Sequence, residues 1–161
     1  MPSFANSRYE NTFFTHMICH PFEQMAACMD IVAGGLLQRH PGLRVAFLES
    51  GLGWLEYWLG RMDEHFEVMG AKVPWLSQRP SELFKQQCFI SIEADEARRM
   101  PKIQAMGLEH CVFWGADYPH CDCTYPGAVN ELEKILAPIE AYLANLVRNG
   151  NAARFMGLGS L

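Results

Sequence analysis

Three short apolar segments, Leu43 to Glu49, Cys88 to Glu93 and Cys111 to Ala116, limit more than anything else how this chain can fold. Each reads as a buried strand, and a stretch of helical periodicity separates each from the next. Strands joined through helices must run parallel, with right-handed crossovers, which makes this an α/β chain. The first two segments end in carboxylates, Glu49 and Glu93, and the third runs into Asp117. Parallel sheets present their working side chains at strand C-termini, so three acids fall along one rim.

The connecting segments follow the same logic. From Pro21, residues Phe22, Met25, Met29, Val32 and Leu36 recur at three- and four-residue steps and predict an amphipathic helix with Pro21 in its first turn. Residues 1–20 carry little periodicity and are expected to be irregular or partly helical. His40-Pro41-Gly42 ends the first helix. Leu55, Trp58, Leu59, Met62, Phe66 and Met69 predict a second, and residues 70–80, with two prolines, a long connection before a helical turn capped by Ser81. Asp95 opens a charged helix through Gly107. Beyond Gly127, the stripe from Val129 to Leu146 is split at Pro138, and Asn149-Gly150 is expected to stop the second piece before a last helix over 151–157.

With 161 residues, half of them hydrophobic, the chain has one domain's worth of sequence and enough apolar mass for a core. Its net charge is −5 and its longest cationic run is Arg98-Arg99, which argues against a nucleic-acid partner. No apolar run is long enough to span a bilayer and the N-terminus lacks signal-peptide design, so no membrane association and a cytoplasmic location are the default expectations. Four of the six cysteines lie inside apolar patterns, and all six are expected to be reduced thiols.

Three carboxylates on one rim are costly to hold together unless a cation or a proton compensates, and a divalent metal is the simplest compensation. Asp117, His120 and Asp122 offer hard oxygen and imidazole ligands suited to zinc or manganese. Other readings stand beside this one. Asp117 can be a turn residue before Pro119, and Glu49 and Glu93 can pair with Arg or Lys or face solvent. His120-Cys121-Asp122-Cys123 lacks the second ligand pair of a structural zinc site, and His16 with His20 lacks the Glu of a His-Glu-x-x-His motif. Trp54 is a candidate pocket wall, whereas Trp58 keeps phase with the core stripe. Gly51-Leu52-Gly53 lacks the third glycine of a dinucleotide fingerprint.

The segments Gly35 to Leu55, Arg61-Met-Asp63, Trp114-Gly-Ala-Asp-Tyr-Pro-His-Cys-Asp122, Tyr125-Pro-Gly-Ala128 and Asn151-Ala-Ala-Arg-Phe155 resemble, in order, the C-terminal half of the amidohydrolase-related (amidohydrolase 2) metal-dependent hydrolases. That family includes aminocarboxymuconate semialdehyde and resorcylate-type decarboxylases. The resemblance implies a partial (β/α)8 TIM barrel over residues 21–161, about three parallel strands with flanking helices, and a site on the C-terminal rim. It implies hydrolysis or non-oxidative decarboxylation of a small organic acid with a divalent metal, zinc or manganese. Asp117 would take the place of the last-strand aspartate that binds or adjoins the metal and assists proton transfer, with Glu49 as a second catalytic candidate. By the resemblance His120 and Asp122 occupy the adjoining loop, and from the residues themselves Glu93 on the rim and Trp54 join them as candidates for the substrate pocket. In decarboxylase members a catalytic histidine follows the strand that here ends in Glu49, and this sequence departs from them at that point. A complete barrel needs roughly 200 residues at the least and typically about 250, so the resemblance also implies a truncated form that forms homo-oligomers or associates with a missing N-terminal half. The alternative expectation is a catalytically silent half-barrel, an assembly subunit or a remnant.

Overall fold

The structure is a computed structural model in which residues 8–120 and 123–158 are described. They form two compact units, one of residues 8–43 and 54–87, the other of residues 44–53 and 88–158.

The first unit is helical. Helix α1 (Thr12–Val32) starts at Asn11, whose side chain accepts the Phe13 N–H at 2.9 Å. It begins well before the expected Pro21 because a side-chain cap sets the first turn, and Pro21 sits inside the helix at the loss of one ladder bond. The expected stripe is displaced too. Cys28 and Val32 are buried, while Phe22 and Met29 are exposed.

After the short α2 (Leu36–Arg39) comes α3 (Leu55–Met69), which buries Leu55, Leu59 and Met62 as its periodicity requires. Trp58 donates its indole N–H to Met25 O at 2.8 Å. The connection over 70–80 contains one 3-10 turn, and α4 (Pro80–Gln87) then buries Leu83 and Phe84. Asp63 of the Arg-Met-Asp segment fixes the start of α4, accepting Ser81 N at 2.9 Å and Ser81 Oγ at 2.6 Å.

The second unit holds the sheet. Strands β1 (Val45–Phe47), β2 (Cys88–Ser91) and β3 (Val112–Phe113) lie in the order β1-β2-β3, with both pairs parallel. Phe47, Ile90 and Val112 stand in one rank across the sheet. All four residues of β2 are buried, as expected for the middle of a parallel sheet. The strands are shorter than the apolar runs predict. Glu49 and Asp117 take φ of +66° and +56°, values that no strand continues through.

The single helix expected from Asp95 is instead a 3-10 turn (Ala97–Arg99) followed by α5 (Met100–Ala105), whose Met100 and Ile103 enter the core. Helices α6 (Ala128–Leu136) and α7 (Ala141–Asn145) flank the break at Pro138, and Glu140 caps α7 through the Tyr142 and Leu143 amides. Asn149-Gly150 is no stop. Gly150 keeps helical dihedrals, and a π-helical turn over Leu146–Gly150 leads into α8 (Asn151–Met156), which ends at the left-handed Gly157. Asn151, 1% exposed, donates to Glu109 O at 2.8 Å and Val112 O at 2.5 Å, fastening α8 to the start of β3.

Candidate metal and acid site

The second unit gathers its acids where the three parallel strands end. Glu49 follows β1 and Glu93 follows β2, while Asp117 and His120 lie on the loop after β3. One ligand atom from each of Glu49, Asp117 and His120 lies within 4.8 Å of the other two. His120 Nδ1 is 3.2 Å from Asp117 Oδ2, and the turn is closed by His120 N donating to Asp117 O at 2.9 Å.

Glu49 and Asp117 are the only non-glycine residues with positive φ among the described ones. A left-handed conformation costs an ordinary residue about 1–2 kcal/mol. Such strain persists only where the surroundings hold it, and it collects at functional sites. Here both strained residues aim carboxylates toward one cluster.

Glu93 completes the rim. Its carboxyl is held above the usual carboxylate range, first by desolvation, then by the Glu96 charge, with Asp117 and Glu49 adding to the same effect. The Ser91 hydroxyl, 3.4 Å from Glu93 Oε1, works weakly the other way. Although the residue as a whole is exposed, the carboxyl faces a crowd of like charge. Ser91 Oγ also accepts the Glu49 N–H at 3.1 Å, so one hydroxyl ties the ends of β1 and β2 together.

The donor set fits a divalent cation. Two carboxylates and an imidazole are hard or borderline ligands suited to zinc or manganese, and positive charge would offset the repulsion that raises Glu93. The spread of 4.8 Å exceeds the roughly 3–4 Å between donors in a filled shell. Exposed side chains can close that gap by rotation. Among the described residues no other such group of donors occurs; His16 and His20, with ring centroids 5.4 Å apart on α1, recruit no third ligand.

The sequence-based candidates therefore divide. Glu49, Asp117 and His120 come together, with Glu93 electrostatically coupled to two of them. Trp54 lies in the other unit, buried at the head of α3, and Asp122, with Cys121, lies outside the described residues. Sequence reasoning missed Ser91, hidden in an apolar strand, and Glu96, lost in a charged stretch. Gly51-Leu52-Gly53 is no nucleotide loop either. A Cβ on Gly51 would meet the Glu96 carboxylate at 2.7 Å and one on Gly53 would meet Arg99 Nη2 at 3.1 Å, so both glycines make room for charged side chains.

A parallel α/β sheet with acids beyond its C-terminal edge is an arrangement that the rim of a (β/α)8 barrel also shows. A family model described as amidohydrolase matches residues 14–158, and the chain belongs to that family. Its fold matches an amidohydrolase from Mycobacterium avium subsp. paratuberculosis at TM-score 0.77 and 14% identity, over 92% of this chain and 37% of that one. It also matches 5-carboxyvanillate decarboxylase from Sphingomonas paucimobilis at TM-score 0.65 and 26% identity, over 90% and 42% of the two chains. A dihydroxybenzoic acid decarboxylase from Polaromonas, solved with bound manganese and 2-nitroresorcinol, matches at TM-score 0.68 and 16% identity, over 89% and 42%. A search among curated proteins gives no match. The three strands and their helices thus resemble part of a TIM-barrel amidohydrolase, and the chain spans well under half the length of these solved relatives.

Proposed function

We propose that the second unit supplies the C-terminal rim of a metal-dependent amidohydrolase-family active site that hydrolyses or non-oxidatively decarboxylates a small organic acid. The observation that carries the reading is the convergence of Glu49, Asp117 and His120 donors at the ends of parallel strands. Glu49, Asp117 and His120 would hold the ion, zinc or manganese; the manganese in the Polaromonas decarboxylase supports the second choice. Bound there, the metal supplies Lewis-acid polarisation of a substrate oxygen. Asp117, through the carboxylate oxygen left free of the ion, would take up and return the proton that the reaction moves. Glu93, its carboxyl raised above the usual range by desolvation and by the neighbouring carboxylates, borders the same rim. The likeness to 5-carboxyvanillate decarboxylase supports a carboxylated ring compound as substrate.

The test is metal analysis of the purified chain together with turnover of carboxylated aromatic acids and of their amides or esters. Asp117→Asn is expected to abolish turnover while the fold is retained. An active preparation in which Asp117→Asn turns over at the wild-type rate removes the assigned role.

A second reading, association with further polypeptide, is favoured by α1, on which Phe13, Met17 and Phe22 are exposed by 69%, 61% and 49%. Apolar surface of that kind marks interaction sites, and the outer edges of β1 and β3 call for cover as well. The partner is another copy or the remainder of the barrel, in a reducing cytoplasmic setting that suits the thiols of the five described cysteines. No described helix is long and apolar enough to cross a membrane. Sedimentation of the chain as a strict monomer at high micromolar concentration would count against self-association.

A further inference from the structure

Glu96 is a carboxylate almost withdrawn from solvent, 7% exposed, on the turn that follows β2. Three backbone amides donate to it: Leu52 N to Oε2 at 2.7 Å, Gly53 N to Oε1 at 3.0 Å, and Glu93 N to Oε2 at 3.2 Å. Arg99 Nε lies 3.2 Å from Oε1. Every one of these partners is a donor, so the arrangement suits an ionised acceptor. Two of the amides belong to the loop that carries Glu49, and the third is the amide of Glu93 itself. Gly51, at φ +63°, passes so close that a Cβ would meet all three carboxylate atoms at 2.7–2.9 Å. The loop is thus wrapped onto the Glu96 head.

We propose that Glu96 is the positioning residue of the rim. Its carboxylate locks the loops after β1 and β2 together and so fixes where the Glu49 and Glu93 carboxylates stand. The inference rests on the metal-dependent reading for its functional consequence, but the lock is a property of this chain alone. Glu96 acts through the backbone, as the outer partners of a metal site do when they orient the ligands. Nothing in the lock depends on the metal. The ligand loop is held in place before any ion arrives.

Two readouts on the full chain test this. The first is amide hydrogen exchange. In Glu96→Gln the side-chain NH2 faces amide donors in place of an oxygen, and exchange at Leu52, Gly53 and Glu93 is expected to quicken at least tenfold, while the amides of β2 keep their rates. The second is titration with Mn2+ alone, followed by electron paramagnetic resonance, in which Glu96→Gln is expected to bind at least tenfold more weakly. Glu96→Asp, which keeps the charge, should recover part of both losses. Should Glu96→Gln fail to fold, Gly51→Ala gives a second route, since its methyl group displaces the loop from an intact carboxylate; it should show the same local exchange pattern. Unchanged exchange at Leu52 and Gly53 in a folded variant overturns the lock, and faster exchange with unchanged Mn2+ affinity overturns its bearing on the site. A wild-type chain that binds no Mn2+ would refute the metal reading, with the exchange data still deciding whether Glu96 holds the loops.

Discussion

Replacing Asn151 should loosen the sheet from its last helix, and the size of the effect can be worked out from two hydrogen bonds. The Nδ2 group donates to Glu109 O at 2.8 Å and Val112 O at 2.5 Å, and the residue is 1% exposed. Asn151→Ala leaves both carbonyls without this donor, at about 1–3 kcal/mol for each buried acceptor that loses its partner. Water entering the space vacated by the amide recovers part of that, so the expected loss is about 3 kcal/mol. For a chain of this size that is a fall in Tm of about 6–12 °C. Asn151→Asp should be worse, because a carboxylate would face two carbonyl oxygens at hydrogen-bond distance and bring a buried charge without a partner. The assay is urea unfolding followed by far-UV circular dichroism and by tryptophan emission, with the denaturant slope expected to stay at its wild-type value. A loss below about 1 kcal/mol in Asn151→Ala, or an Asn151→Asp variant as stable as wild type, would refute the reasoning.

Two further outcomes follow from the charge and burial of single groups. Glu93 is held above its usual range, so folding favours its protonated form; that stabilisation is present below the ordinary carboxylate range and fades as pH rises through the raised value. Measured in chelator, Glu93→Gln should therefore gain stability over wild type as pH increases across that interval, and a pH-independent difference between the two would contradict the assignment. Cys28 is fully buried, with burial alone pushing its thiol up to about 12. Peptide mapping after iodoacetamide treatment at pH 8 should find Cys28 unmodified in the native chain and alkylated in urea; labelling of the native thiol would show that the α1 core opens.

The alternation of strand and helix was legible because the apolar runs at 43–49, 88–93 and 111–116 are short, bounded by turn residues and separated by helical periodicity. Which acids stand on the rim followed from the same runs. Where the strands stop did not: they end at Phe47, Ser91 and Phe113, short of the apolar runs, and no residue type announces the left-handed turns that follow at Glu49 and Asp117. The start of α1 was misplaced for a similar reason: Pro21 is a strong local signal, but the cap at Asn11 and the packing of Cys28 and Val32 override it. Glu96 was invisible because two of its partners are backbone amides some forty residues earlier, and backbone donors leave no mark in a sequence. Asn151 carried a family resemblance and no reason; the two carbonyls supply it.

The central claim is that Glu49, Asp117 and His120 form one divalent-cation site, and direct titration of the full chain with Mn2+, read by paramagnetic resonance and calorimetry, tests it most closely. Binding of one ion per chain is expected, weakened at least tenfold by Asp117→Asn and also by Glu49→Gln, with circular dichroism unchanged in both. Wild-type affinity in the two variants, or no binding by a folded wild-type chain, would contradict it.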